Sequence, residues 1–199
     1  MGYSHYWYRR RTIASSRYQA IVEDLSRLLP ELKRQDVPLA GAFGTGRPRI
    51  DRQEIVFNGR TRCRHPQSVA PSAFSRMMAL ASLLSMPESE REAATRAMWE
   101  EEHARRRCPG TCAYETFWFP RTASDVMADD AGRYWDRTKT ALRPYDIAVT
   151  ASLIIARRHL GDDIRIASDG GQAQWFDARL LCQSVLGYGL TLPLGLHDE

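Results

Sequence analysis

Lysine is nearly absent from this sequence, and long apolar runs are absent altogether. Only Lys33 and Lys139 occur, so arginine supplies almost all of the 28 basic residues, which stand against 24 acidic ones. The longest apolar run covers residues 147–156 and is interrupted by Thr150 and Ser152, far short of the ~20 residues that a membrane span requires. A composition of 43% hydrophobic and 26% charged residues also excludes a fibrous or mostly disordered chain.

Cysteine is scarce, since the 199 residues include only four. Four could form two disulfides, but nothing in the sequence suggests an oxidising compartment, and we expect reduced thiols. Cys63 with His65, and Cys108 with Cys112, have spacings that zinc accepts, and together they form an alternative zinc site. Two predicted helices separate the two pairs, and buried or loop cysteines, with Cys182 among them, are the simpler interpretation. We therefore predict no metal site and keep zinc as the alternative.

No established catalytic signature is present. The sequence contains no HExxH, no GxSxG and no kinase motif, and Gly44-Thr45-Gly46 lacks both the third glycine of a dinucleotide fingerprint and the ending of a P-loop. At the amino terminus aromatic residues precede Arg9-Arg10-Arg11, the reverse of the order in a signal peptide. We therefore expect a cytoplasmic protein with no membrane partner.

Charge is uneven along the chain. Residues 1–65 carry 13 basic and 6 acidic side chains, whereas residues 66–199 carry 15 and 18. A basic first third that also contains Tyr6, Trp7 and Tyr8 has the ingredients of single-strand nucleic-acid binding. Binding of nucleic acid or of a host protein through this segment is therefore one alternative function.

Hydrophobic periodicity predicts helices and strands in one domain spanning residues 1–199. We predict an α+β or open α/β fold with a mixed sheet and a buried apolar helix near residues 144–160. Residues 121–143 are polar and irregular, and we predict a mobile loop there. Pro30 is expected to bend or end the first helix, and Asn58-Gly59 to form a tight turn. The other predicted elements are strands at 3–8, 39–43, 54–57, 113–119 and 164–167, and helices at 15–33, 72–85, 87–106 and after 171.

Three residues are candidates for acid–base chemistry. Strand alternation puts Glu115 on the face of Phe117 and Phe119, where partial desolvation would suit a general acid or base. A neighbouring arginine that satisfies Glu115 is an equally good interpretation. Asp146 opens the apolar helix, where capping and the helix dipole also explain it, and His5 lies on a strand face where it could equally be a hydrogen-bonded core residue.

Two segments are candidates for anion binding. Lys139 lies just upstream of Tyr145 and the helix start, which would give a positively charged corner. Ser168-Asp169-Gly170-Gly171 forms a strand-to-helix turn, where free backbone N–H groups attract phosphate or carboxylate. For Asp169, a simple helix-capping role is the structural alternative.

Six short motifs carry a resemblance to a protein family: Gly2-Tyr3-Ser4-His5-Tyr6-Trp7, Ile55-Val56-Phe57-Asn58-Gly59, Glu115-Thr116-Phe117, Lys139-Thr140-Ala141, Pro144-Tyr145-Asp146 with Val149-Thr150-Ala151, and Ser168-Asp169-Gly170 with Trp175. In this order they resemble a family of small uncharacterised phage, prophage and bacterial proteins that start MGYTHYW. Ser4 stands where that pattern has threonine. The resemblance implies a phage-like setting, hence the host cytoplasm, and brings no activity with it.

The motifs are rich in polar residues at element ends, which favours one shared polar pocket. We predict that it binds a phosphorylated small molecule such as a nucleotide, either as an enzyme that processes this ligand or as a binding protein. Lys139 and the backbone of 169–171 would hold phosphate, and Trp7 or Trp175 would stack a base. Glu115 or Asp146 would be the general base or a metal ligand. A structural or virion-associated protein without a small-molecule site is a further alternative. In addition to the phosphate-binding, base-stacking and general-base residues, the predicted pocket contains His5, Asn58, Tyr145, Ser168, Asp169 and Gly170.

Overall fold

The part of the chain that the structure describes contains five α-helices and seven short strands. The computed structural model describes residues 3–63, 73–103, 111–124, 128 and 132–196, without the side chains of 73, 74 and 99–103. The strands are β1 (Ser4–Arg9), β2 (Leu39–Ala40), β3 (Arg49–Ile50), β4 (Glu54–Gly59), β5 (Phe117–Pro120), β6 (Tyr134–Lys139) and β7 (Ile164–Ser168). The helices are α1 (Ser15–Arg34), α2 (Ala73–Ser85), α3 (Glu88–His103), α4 (Asp146–Leu160) and α5 (Gln172–Leu186).

The strands pair in two antiparallel sheets. In the first sheet β1 lies between β6 and β7, and His5 is opposite Thr138 on one side and Ser168 on the other. In the second sheet β4 pairs with β2, β3 and β5. Because β6 and β7 both run antiparallel to β1, their carboxyl ends meet at the start of β1. The helices that follow them, α4 and α5, therefore begin at the same edge.

Helix α4 forms the centre of the core. Of its fifteen residues, only Arg157, Arg158 and His159 at the carboxyl end are not buried. It packs against α1, α5 and β7. A helix that is apolar on all its faces gains most free energy when other elements surround it. The α+β class and the buried apolar helix are thus confirmed.

The structure differs from the predicted elements at several places. Pro30 lies inside α1, which runs on to Arg34. Asn58 and Gly59 are not a tight turn but the last two residues of β4. The strands form two antiparallel sheets instead of one mixed sheet.

The predicted loop at 121–143 was wrong where β6 lies. This strand pairs with β1 over its whole length, from Tyr134 opposite Arg9 to Lys139 opposite Ser4. Its side chains alternate along most of its length between exposed and half-buried, which is the pattern of a strand covered on one face.

Among the helices that the structure describes, none is long and apolar enough to cross a membrane.

Candidate functional site

A buried histidine with a polar partner on each ring nitrogen lies at the edge where α4 and α5 begin. His5 is 0% exposed. Its Nε2 lies 2.8 Å from Oδ1 of Asp146, and its Nδ1 lies 3.0 Å from Oγ of Ser168. The structure thus brings together three of the residues that the sequence analysis assigned to one pocket.

Chain topology explains this meeting. His5 is the second residue of β1, Ser168 is the last residue of β7, and Asp146 is the first residue of α4. Ser168 is the direct cross-strand neighbour of His5, and a carboxylate in the first turn of a helix is stabilised by the helix dipole. Each side chain therefore reaches His5 from the end of a different element.

The two hydrogen bonds of His5 show which ring nitrogen donates a proton and which accepts one. A carboxylate can only accept, so Nε2 of His5 donates to Asp146. In the neutral imidazole, Nδ1 is then an acceptor, and the Ser168 hydroxyl donates to it. Asp146 Oδ1 also accepts from the Thr140 hydroxyl. We call Ser168, His5 and Asp146 the relay.

The aromatic rings of Tyr3 and Trp175 enclose the imidazole. Both meet it edge to face, with ring centroids 5.0 Å and 5.2 Å from that of His5. The Tyr3 hydroxyl is near Ser168 but outside hydrogen-bond geometry, and burial raises the pKa of Tyr3. The indole N–H of Trp175 is likewise buried without a hydrogen-bond partner. The relay is therefore screened from water on these sides.

Glu115 and Lys139 contact each other and Tyr145, the residue before Asp146. The backbone N–H of Lys139 donates to Oε2 of Glu115 at 2.8 Å, and Nζ of Lys139 lies 5.6 Å from the ring centroid of Tyr114. The Tyr145 hydroxyl donates to the backbone carbonyls of Glu115, at 2.6 Å, and of Lys139, at 3.2 Å. Burial raises the pKa of Tyr145, and the nearby Asp146 carboxylate raises it further.

The loop between β6 and α4 is strained. Ala141 and Leu142 both have positive φ angles, 50° and 54°, a region that side-chain-bearing residues avoid. Just before them Thr140 contacts Asp146, and Leu142 is 61% exposed. Strained backbone of this kind concentrates at functional sites.

The turn at Ser168–Gly171, predicted to hold phosphate, uses two of its backbone N–H groups for bonds within the protein. The N–H of Asp169 donates to the Ser4 carbonyl, and the N–H of Gly170 donates to Oγ of Ser168. The Asp169 carboxylate accepts from the backbone of Ser4 at 2.9 Å and from the Tyr6 hydroxyl at 3.3 Å. Two of the expected anion donors are therefore engaged inside the protein.

Three predicted ligand contacts lie elsewhere or are closed off. Trp7 is 1% exposed and packs against Phe117 at 5.3 Å between ring centroids, so it has no open face for a base. Asn58 is buried, and its side chain bonds the backbone N–H and carbonyl of Tyr114. Trp175 does reach the relay, but at 0% exposure it can pack on His5 and cannot stack on a ligand.

The zinc alternative falls partly outside the described residues, because His65 and Cys108 are not among them. Cys112 is buried and Cys63 is half-buried. Within the ranges that the structure does describe, no group of three or more His, Cys, Asp or Glu side chains could hold a metal ion.

Sequence reasoning missed two members of the site, Thr140 and Tyr3. Both lie within motifs that the analysis singled out, and both flank a residue that it selected. No periodicity or spacing marks them, because their roles come from contacts between β1 and the loop after β6: the N–H of Thr140 donates to the Tyr3 carbonyl at 2.9 Å.

Comparison of the chain with protein-family models, curated proteins and solved structures found no match.

Proposed function

We propose that the protein is an enzyme that hydrolyses or transfers an acyl or phosphoryl group, with the Ser168 hydroxyl as nucleophile. The observation that carries this proposal is the position of His5 between Ser168 and Asp146, within hydrogen-bond distance of both. A serine, a histidine base and a carboxylate that orients the base form the arrangement that makes a hydroxyl reactive at neutral pH.

The chemistry follows from the direction of the hydrogen bonds. As Oγ of Ser168 bonds to the electrophilic carbon or phosphorus, its proton moves to Nδ1 of His5. Asp146 stabilises the imidazolium that forms, and the dipole of α4 in turn stabilises the Asp146 carboxylate. The proton then passes to the leaving group, and water releases the group held on Ser168.

Ser168 is the member of the relay that a substrate can approach. It is half-buried, whereas His5 is fully enclosed. The N–H of Gly170 lies 3.1 Å from Oγ of Ser168, and the Tyr3 hydroxyl is close by. The Tyr3 hydroxyl, which makes no hydrogen bond among the described residues, is the donor that can turn to negative charge developing next to Ser168, as the donors of an oxyanion hole do.

A fluorophosphonate probe tests the proposal without knowledge of the substrate. Attack by Ser168 forms an Oγ–P bond and releases fluoride, and the modified peptide is identified by mass spectrometry. We expect labelling at Ser168 in the folded protein and none in Ser168→Ala. Asp146→Asn should slow labelling by about 100-fold, because the histidine loses its orienting carboxylate.

Ser184→Ala is the matched control. Ser184 is half-buried on α5, and its hydroxyl donates to the Leu181 carbonyl at 3.0 Å. This variant should label as fast as the unmodified protein. The proposal fails if folded protein leaves Ser168 unlabelled, or if Asp146→Asn, still folded by circular dichroism, labels at the original rate.

For the substrate we keep the phosphorylated small molecule, such as a nucleotide, as a hypothesis. Its support is the positive charge of Lys139, the residue before Thr140, and the start of α5, which has no side-chain cap. Lys139→Gln should weaken binding of adenosine monophosphate, whereas Lys33→Gln, at the far end of α1, should not. If the unmodified protein does not bind this nucleotide, the substrate hypothesis is wrong while the labelling test still stands. The phage-like setting likewise remains a hypothesis.

A further inference from the structure

We propose that a cavity at the opposite end of β1 binds a small phosphate-bearing anion. The cavity has a volume of about 370 Å³ and lies where the end of β1, the start of α1 and the segment after α4 meet. Its charged lining consists of three guanidinium groups, from Arg9, Arg10 and Arg17, against the one carboxylate of Asp163. This site is separate from the relay and does not depend on it, since His5 and Arg9 are four strand residues apart, about 13 Å.

Arg9 is the first observation behind this inference. It is 2% exposed, and its guanidinium group donates to the backbone carbonyls of Arg10, Arg11 and Pro120. Burial lowers the pKa of Arg9 to about 10, so the group keeps its charge at neutral pH. Among the described residues no carboxylate forms an ion pair with it. The Asp136 carboxylate acts on Arg9 electrostatically but forms no ion pair with it. A buried charge that no carboxylate contacts favours binding of an anion.

Arg10 and Arg17 provide the second observation. Nε of Arg10 lies 3.0 Å from one oxygen of Asp163, and a terminal nitrogen of Arg17 lies 2.7 Å from the other. One carboxylate therefore orients two arginines at the mouth of the cavity. It neutralises only one of the two charges, and the remaining guanidinium N–H groups suit the several oxygens of a phosphate.

The start of α1 adds positive potential to the same space. Ala14 and Ile13 line the cavity, and the helix has no capping side chain and no acidic residue in its first turn. An amino-terminal helix turn without such groups leaves N–H groups unpaired by the helix itself. The volume is within the range of small-molecule sites, which fits inorganic phosphate or a phosphomonoester.

Titration calorimetry with inorganic phosphate and with glycerol phosphate tests this site. We expect saturable binding of at least one of them, with a Kd of about 1 mM or lower. Tighter binding of glycerol phosphate would identify the ligand as a phosphomonoester, and binding of inorganic phosphate alone would identify free phosphate. The proposal is wrong if neither binds.

Ala14→Asp separates loss of the site from loss of the fold. Ala14 has φ −56° and ψ 136°, the backbone conformation of a helix cap, so aspartate there should cap α1 and keep or raise Tm. The same carboxylate would repel an anion in the cavity and weaken phosphate binding by about tenfold or more. Arg17→Gln should also weaken it, whereas Arg96→Gln on the exposed face of α3 should not.

Two outcomes would overturn the assignment. One is phosphate affinity that stays unchanged in both Ala14→Asp and Arg17→Gln. The other is a single-stranded oligonucleotide that binds the unmodified protein more tightly than glycerol phosphate does and binds Ala14→Asp with the same affinity. The basic surface outside the cavity would then be the binding site.

Discussion

The imidazole of His5 lies edge-on against the indole of Trp175, with ring centroids 5.2 Å apart and planes at 88°. Both side chains are fully buried, and Trp175, in the first turn of α5, packs against the histidine of the relay. Edge-to-face packing of this kind holds a ring in one orientation. The indole therefore fixes the histidine on the side that neither Asp146 nor Ser168 occupies.

Trp175→Ala should lose both stability and relay reactivity. Removal of a buried indole should lower the free energy of unfolding by about 3–5 kcal/mol. Fluorophosphonate labelling of Ser168 should become slower, because the His5 imidazole is no longer held in one orientation. Urea unfolding and labelling under native conditions measure the two effects. Trp118→Ala, which removes a tryptophan that is 43% exposed, is the control and should leave labelling unchanged. Unchanged labelling in Trp175→Ala would contradict the positioning role.

Gly59→Ala should be among the most damaging single substitutions in β4. A Cβ at this position would lie 1.9 Å from the backbone oxygen of Cys112, which cannot move as a flexible side chain could. We expect a loss of about 3 kcal/mol or more in the free energy of unfolding. Gly187→Ala is the comparison, because Gly187 has a positive φ of 80° and open space around it. It should cost only ~1 kcal/mol, and equal losses in the two variants would argue against the close approach.

The same glycine shows where sequence reasoning reached its limit. Asn58-Gly59 is a strong turn signal because glycine tolerates positive φ, but here glycine is needed for the approach of another backbone. Nothing local distinguishes the two uses. Helix α4 could be predicted because its apolar surface extends all round, and β6 could not, because its polar residues carried the weaker signal of a strand covered on one face.

The candidate site was predictable in part for a similar reason. His5, Asp146 and Ser168 stand at element ends rich in polar residues, and each was selected from its own neighbourhood. Their mutual contacts depend on β1 lying between β6 and β7, a strand order that local patterns do not encode. Trp7 was misplaced because strand alternation gives two faces, and sequence could not show that its face meets Phe117.

Relief of backbone strain next to the relay should stabilise the protein. Ala141 has φ 50°, and glycine adopts this conformation without a steric penalty. Ala141→Gly should raise the free energy of unfolding by up to about 1 kcal/mol, the strain removed less the extra entropy of the unfolded chain. Ala93→Gly on the exposed face of α3 should change stability in the opposite direction, by ~1 kcal/mol. A loss of stability in Ala141→Gly would show that the loop is not strained.

Acid should weaken a contact that joins α1 to α4 and to the segment after α5. Oδ2 of Asp24 accepts from Nε2 of His159 at 2.8 Å and from the Tyr188 hydroxyl at 2.6 Å. Partial burial alone would raise the pKa of Asp24, but these two hydrogen bonds, together with electrostatic attraction from His159 and Arg27, hold the pKa below its ordinary value. The stabilisation is therefore complete above the pKa of Asp24 in the unfolded chain and is lost as pH falls through the folded pKa.

Tyr188→Phe tests this dependence. At about pH 7 it should lower the free energy of unfolding by about 1–2 kcal/mol, because a hydrogen bond to a charged carboxylate is lost. As pH falls through the folded pKa of Asp24 and the carboxylate is protonated, the difference between the variant and the unmodified protein should shrink. Tyr8→Phe, at a ring that packs under Arg165 at 4.1 Å, should show no such pH dependence. A difference for Tyr188→Phe that stays constant from neutral to acid pH would mean that Asp24 is not the titrating partner.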